Sequence, residues 1–198
     1  MTSDPPASGK VALRAAMRRL RAALAAECPD AAARAAAALP LGLLPRFTVA
    51  GGYHPIGSEL DPRPVLDRLT AAGALLALPA ALDRHAPLVF RTAGWPADFT
   101  PDSLGIPAPP AGAPPLTPDL IIAPVLAFDG SGGRLGQGGG CYDRTLEALR
   151  AAGRVFVIGL AYAGQEVGAV PVEAHDQGLD AILTQTGYRV VAKDMGCA

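Results

Sequence analysis

LIIAPVLAFDGSGGRLGQGGGCYDRTLEALRAA, residues 120–152, runs from an apolar strand (120–125) through a glycine-rich turn into a helical segment (142–152). Seven glycines fall in the eleven positions 130–140, with Arg134 among them and Tyr142, Asp143 and Arg144 directly after. Glycines at 136–140 can take positive φ and let main-chain N–H groups turn inward without a Cβ in the way. The helix start behind them adds unpaired amides and the positive end of the macrodipole. Arg134 brings a planar guanidinium suited to phosphate oxygens. The stretch therefore reads as an anion cradle, although it lacks the Gly-Lys-Ser/Thr of a P-loop, and a GxGxxG frame started at Gly136 meets Cys141 in its last place. The bland alternative is a flexible glycine hairpin; Arg134 and Tyr142-Asp143-Arg144 weigh against it.

Working outward, a second apolar run at 155–161 follows the helix and a short one lies at 181–184. Upstream, residues 47–53, 74–78 and 88–91 read as strands, and 8–27, 29–44 and 62–72 as helices, with Ser8 as an N-cap for the first and Pro62 preset for the first turn of the third. Alternation of this kind predicts an α/β protein with parallel strand pairs. On the first helix Leu13, Met17, Leu20 and Leu24 form an apolar stripe, with Lys10, Arg14, Arg18 and Arg21 as a basic band beside it. No acid is interleaved for i,i+4 pairing, so the band asks for anions; a solvated flank is the plainer alternative. Residues 92–118 are rich in proline and glycine, with Trp95 and Phe99 as the aromatics. They read as a surface excursion over a site, since each flank alone holds too few strands for a core. The expected organisation is one domain over 10–187 between a disordered tail at 1–9 and a C-terminal tail at 188–198.

The 198 residues suffice for one substantial core, and a net charge of −1 argues against a nucleic-acid surface or a polybasic membrane anchor. No apolar run is long enough to span a membrane, and nothing resembles a secretory leader, so a cytoplasmic location is expected. Cys28, Cys141 and Cys197 are too few and too scattered for a disulfide framework or a zinc site, and read as reduced thiols. His54, His85 and His175 share no metal-ligand spacing. Cys141 reads as a small loop residue rather than a nucleophile. Of the carboxylates, Asp61 suits turn chemistry before the helix at 62, which leaves Glu59 as a candidate ligand group. Asp143 and Asp176, near a phosphate site, are candidates for holding Mg²⁺.

PVLAFDGSGGRLGQGGGCYDRTL, Lys10 with Arg14, YHPIGSELDPRPVL and IGLAYAGQEVGAVPVEAHDQGLDAILT together resemble the 5-formyltetrahydrofolate cyclo-ligase (5,10-methenyltetrahydrofolate synthetase) family from residue 10 to about residue 184. The resemblance implies a three-layer, open, mostly parallel sheet with helices on both faces, of the CoA-transferase-like kind. It also implies ATP- and Mg²⁺-dependent closure of 5-formyltetrahydrofolate to 5,10-methenyltetrahydrofolate, with ADP and phosphate released after a phosphorylated formyl intermediate. By position Lys10, Arg14, Arg134, Leu135, Gly136, Gln137, Gly138, Gly139, Gly140, Cys141 and Tyr142 match ATP contacts. His54, Glu59, Gln137, Gly138, Gly139, Gly140 and Cys141 match folate contacts, Glu59 meeting the pterin. Arg134 and Tyr142 are the catalytic candidates and Asp143 with Asp176 the metal ligands. Expected partners are these small molecules, without nucleic acid or membrane, the chain acting as a monomer or weak dimer. Two departures stand out: Cys141 replaces one tyrosine of the usual Tyr-Tyr-Asp, and Ala108 replaces a carboxylate. A folate- or nucleotide-binding paralogue without turnover is the alternative.

Overall fold

The computed structural model describes residues 7–94 and 98–191. In chain order these form α1 (Ala7–Glu27), α2 (Ala31–Ala38), a 3₁₀ turn (Leu41–Leu43), β1 (Val49–Gly51), α3 (Arg63–Ala71), β2 (Leu75–Ala80) and β3 (Val89–Thr92). The short strands β4 (Thr100–Pro101) and β5 (Pro107–Ala108) follow, then β6 (Leu120–Pro124), β7 (Ala127–Phe128) and β8 (Arg134–Leu135). The chain continues through α4 (Cys141–Ala152), β9 (Phe156–Leu160), a 3₁₀ turn (Ala163–Gln165), β10 (Ala181–Thr184) and β11 (Gly187–Val190). Seven strands make one sheet in the order β11-β10-β9-β6-β1-β2-β3. The five inner strands are mutually parallel, and β3 and β11 run antiparallel at the two edges.

Strand β6 shows why its sequence is apolar without interruption. Leu120 and Ile122 pack with Leu76, Leu78 and Ile158 beneath α2 and α3, while Ile121 and Ala123 pack with Val157, Ile182 and Leu146 beneath α4. A parallel strand covered on both faces has no solvent side to mark with polar residues. Each of these leucine, isoleucine and valine side chains contributes about 1.5–3 kcal/mol on burial, so the layers α2/α3, sheet and α4 hold one another in place. Close approach of the α3 layer requires Gly52: a Cβ there would lie 2.4 Å from Leu66 Cδ1. A third cluster, with Met17 of α1 against Leu126, Ala127, Leu135 and Val170, seats α1 on the β7–β8 hairpin.

Several boundaries differ from the sequence expectations. The helix begins at Ala7, so Ser8 lies within it rather than capping it, and the expected tail at 1–9 is described only from residue 7 on. The second helix stops at Ala38, because Leu39 precedes Pro40 and is driven to extended geometry (φ −69°, ψ 116°). The supposed C-terminal tail opens with β11, paired with β10; residues 192–198, including Cys197, lie outside the described residues. On α1, Leu20 faces outward (39% exposed) and Arg21 inward (6%), the reverse of the expected stripe. Trp95 lies outside the described residues. The rest of 92–118 is anchored: Thr92 N–H donates to Pro114 O (2.8 Å), Leu116 N–H to Phe90 O (2.9 Å), and β4 pairs with β5.

Candidate functional site

At the carboxyl ends of the parallel strands, where α/β sheets place ligands, a cleft of about 480 Å³ opens. Its walls come from α1, the loop after β1, the segment 102–107, the glycine-rich loop with the start of α4, and the segment 173–176. Every site residue expected from sequence lines it: Lys10, Arg14, His54, Glu59, Arg134 to Asp143 and Asp176. The cleft thus brings together groups up to 166 positions apart in the chain.

The glycine loop is tied down through its carbonyls. Arg14 Nε donates to Gly136 O (3.0 Å), Arg18 Nη2 to Gln137 O (3.4 Å) and Arg144 Nη2 to Gly139 O (2.9 Å). Arg18 Nε also donates to Gln137 Oε1 (2.9 Å). In a trans peptide the N–H points opposite to the C=O, so each anchored carbonyl turns the next amide the other way. The amides of Gln137, Gly138, Gly139 and Gly140 donate no hydrogen bond to another described residue. Gly140 caps α4 at φ +65° without a side-chain cap, so the first-turn amides of Cys141, Tyr142 and Asp143 continue the series. This is a donor-rich concavity, with Gly138 (φ +103°) and Gly140 in conformations that favour glycine. Lys10, Arg14 and Arg21 of the α1 band therefore bond inward, while Arg18 holds Gln137 from the exposed side.

Arg134 is buried beneath the loop. Its Nη2 meets Asp143 Oδ1 at 2.5 Å and its Nε donates to Gln177 O at 2.8 Å. Asp143 Oδ1 also accepts the Gln177 amide (3.0 Å), leaving Oδ2 without a partner among the described residues. Lys10 Nζ lies 2.8 Å from Asp176 Oδ2 and 3.1 Å from Glu173 Oε1. Burial opposes the charge of Lys10, but these two partners outweigh it and raise its pKa; burial likewise works against the Asp176 carboxylate, yet Lys10 and the Glu173 amide hold its pKa below the usual value. Asp143 and Asp176, expected to share a metal, thus each carry a cationic partner. Among the described residues, the group of three or more such side chains with ligand atoms within 4.8 Å of one another is Glu173, His175 and Asp176. Two hard carboxylates in that group suit Mg²⁺, which takes one or two carboxylates together with phosphate oxygens.

On the opposite wall the side chain of Glu59 is only 7% exposed. Its Oε2 accepts the Ile56 amide (3.0 Å) and its Oε1 pairs with Arg21 Nη1 (3.3 Å). Tyr53 packs beside it, its hydroxyl donating to Leu60 O. Tyr142 reaches between the two walls with its hydroxyl buried and without a hydrogen-bond partner among the described residues. Burial first, then the charge of Glu59, pushes both phenols well above the ordinary tyrosine pKa, so both stay protonated donors at neutral pH. His54 meets Phe99 edge-on at 5.8 Å, joining this wall to the proline-rich segment, and Leu104, Ile106 and Pro107 complete an apolar side. Cys141 Sγ rests 3.8 Å from Gly139 O, and Ala108 is buried in β5.

Sequence reading missed Arg21, Tyr53 and Glu173 as part of the site. Arg21 was legible only as one cation in a band; Glu173 stands three residues before Asp176 with no motif to mark it.

No helix among the described residues is long and apolar enough to cross a membrane. The model of the 5-formyltetrahydrofolate cyclo-ligase family matches residues 6–185. A 5-formyltetrahydrofolate cyclo-ligase of Mycolicibacterium smegmatis is 34% identical over 79% of this chain and 85% of its own length. One from Escherichia coli is 34% identical over 64% of this chain and 71% of its own. Among solved structures, 5,10-methenyltetrahydrofolate synthetase of Aquifex aeolicus superposes with a TM-score of 0.75 at 26% identity, covering 96% of each chain. With the fold, the cleft and these likenesses agreeing over nearly the whole length, the chain belongs to the 5-formyltetrahydrofolate cyclo-ligase family.

Proposed function

We propose that the cleft closes the ring of 5-formyltetrahydrofolate to 5,10-methenyltetrahydrofolate using ATP and Mg²⁺. The observation that carries this reading is that one cleft holds both a cradle of unengaged amides and, facing it, a buried carboxylate, with Tyr142 between them. The cradle suits the phosphates of ATP, with Lys10, Arg14 and Arg134 at its sides. Glu59 suits the paired N–H donors of a pterin, because each of its oxygens keeps acceptor capacity beyond its present bond.

The chemistry needs an oxygen leaving group made competent. The formyl oxygen attacks the γ-phosphorus, the bond to the ADP oxygen breaks, and N5 becomes an iminium whose carbon, the former formyl carbon, carries the phosphate through its oxygen. N10 adds to the iminium carbon and loses its proton; the C–O bond then breaks, phosphate leaves with the electron pair, and the amidinium product remains. The protein's part is positioning and charge stabilisation. The amides of residues 137–143 receive phosphate oxygens. Arg134, fixed by Asp143 and Gln177 O, counters the charge that builds during transfer. The Tyr142 hydroxyl, an unsatisfied donor costing about 1–3 kcal/mol while unpaired, gains a partner from substrate. Mg²⁺ would supply charge neutralisation for the phosphates, and Asp176 with Glu173, and the open Oδ2 of Asp143, would hold it. Lys10 Nζ, held between Asp176 and Glu173, brings its positive charge to the phosphate side of the cleft. The unpaired thiols of Cys28 and Cys141 fit a reducing, cytoplasmic setting, and we take the working form to be a monomer or weak dimer.

The experiment is a spectrophotometric assay of the purified protein. With 5-formyltetrahydrofolate, ATP and Mg²⁺ together, methenyl absorbance should grow, and omission of any one should stop it. Binding of both ligands without product would replace this reading with that of a non-catalytic paralogue, for which Cys141 and Ala108 would be the grounds.

A further inference from the structure

We infer that Arg21 is a positioning residue that sets folate affinity by holding Glu59. The inference rests on the reading of Glu59 as the pterin contact. Arg21 does not line the cleft; it stands behind it, 6% exposed, at the inward position where the α1 stripe would otherwise place an apolar side chain. Its Nη1 lies 3.3 Å from Glu59 Oε1 and its Nε donates to Ser58 Oγ at 3.2 Å, so one rigid fork grips two successive residues of the loop. Side chains of Arg21 and Glu59 are each 7% exposed, so neither charge has water to fall back on. The Ile56 amide fixes the second carboxylate oxygen at 3.0 Å. Carboxylate orientation is thereby determined on both oxygens, with lone pairs left over for a ligand offering two parallel N–H donors.

A permanent cation is needed here because the Glu59 side chain is only 7% exposed, beside Tyr53 and Tyr142 whose environments disfavour negative charge, and an unpaired carboxylate there would be costly. Arg21 thus serves the folate end of the cleft from the same helix whose Arg14 and Arg18 hold the glycine loop at the phosphate end.

The test is a kinetic comparison of wild type with Arg21→Met, Arg21→Lys, Glu59→Gln and the double variant Arg21→Met/Glu59→Gln. Arg21→Met should raise the folate KM about tenfold, as expected for a lost charged hydrogen bond, with much smaller changes in kcat and ATP KM. Arg21→Lys should recover part of the loss, and the double variant should bind folate no worse than Glu59→Gln alone. The double variant carries no unpaired buried charge, so it supplies the answer if Arg21→Met does not fold. A raised folate KM in Glu59→Gln with none in Arg21→Met, equal effects on both substrates, or additive effects in the double variant would each overturn the role of Arg21. An unchanged folate KM in Glu59→Gln would instead overturn the assignment of Glu59 on which this rests.

Discussion

Cys141 occupies the first turn of α4 at the lip of the cleft, where the family resemblance leads one to expect a tyrosine. Its Sγ makes only long contacts, 3.8 Å to Gly139 O and 3.7 Å from Arg144 Nη2, so it walls the cleft weakly. Aromatic contact is worth about 1 kcal/mol, and Cys141→Tyr should therefore lower the folate KM about fivefold in steady-state kinetics. Asp129 shows the opposite case, a residue with no substrate role and a large structural one. Its carboxylate accepts Ser131 N–H (2.9 Å), Ser131 Oγ–H (2.6 Å), Gly133 N–H (3.0 Å) and Val170 N–H (2.7 Å), and so shapes the turn that leads into the glycine loop. Burial works against the charge, but these four donors outweigh it and bring the pKa below the ordinary value of 3.8. A carboxyl shifted down on folding stabilises in its ionised form, fully above the unfolded pKa and progressively less as pH falls through the folded one. Asp129→Asn should cost about 1–3 kcal/mol at pH 7 by denaturant titration, and its deficit relative to wild type should shrink below about pH 4.

Elements meet at the glycine loop: α1 grips it from one side and α4 starts from its far end. Gly140 is the hinge between loop and helix, at φ +65°, and a Cβ there would sit 2.8 Å from Arg144 Nη1. Gly140→Ala should therefore lower stability by about 1–2 kcal/mol and raise the ATP KM, read by thermal unfolding and kinetics on one preparation. Arg18 touches the loop without entering the cleft. Removing its bonds to Gln137 in Arg18→Ala should raise the ATP KM about threefold, the worth of a modest hydrogen bond, with the melting temperature nearly unchanged. A rise in the ATP KM accompanied by a fall in the melting temperature would mean that Arg18 supports the fold rather than the loop.

Across the whole molecule, legibility followed the physics of each segment. The inner strands announced themselves because both faces are buried, and β10 was read to the residue, as Ala181–Thr184. The α4 start was legible because glycines and Tyr142-Asp143 mark a loop-to-helix junction. The edge strand β3 was legible at 88–91, but β11 is half exposed and carries Gly187, Tyr188 and Arg189, so no period shows, and β7 and β8, a separate hairpin, are two residues each. Antiparallel pairing of β2 with β3 was hidden because an apolar run has no direction. The cleft residues were named from spacing and family resemblance, but pairing was beyond the sequence. Arg21 with Glu59 and Lys10 with Asp176 join positions 38 and 166 apart that only the tertiary fold brings together, and Arg134 with Asp143 closes the glycine loop across nine positions. The direct test of the proposed chemistry follows one atom through this assembled cleft. With ¹⁸O in the formyl group of 5-formyltetrahydrofolate, a single turnover in unlabelled water should deliver the label to inorganic phosphate, one ¹⁸O per phosphate by mass spectrometry. Unlabelled phosphate accompanying methenyl product would show that the formyl oxygen is never phosphorylated and would contradict the mechanism.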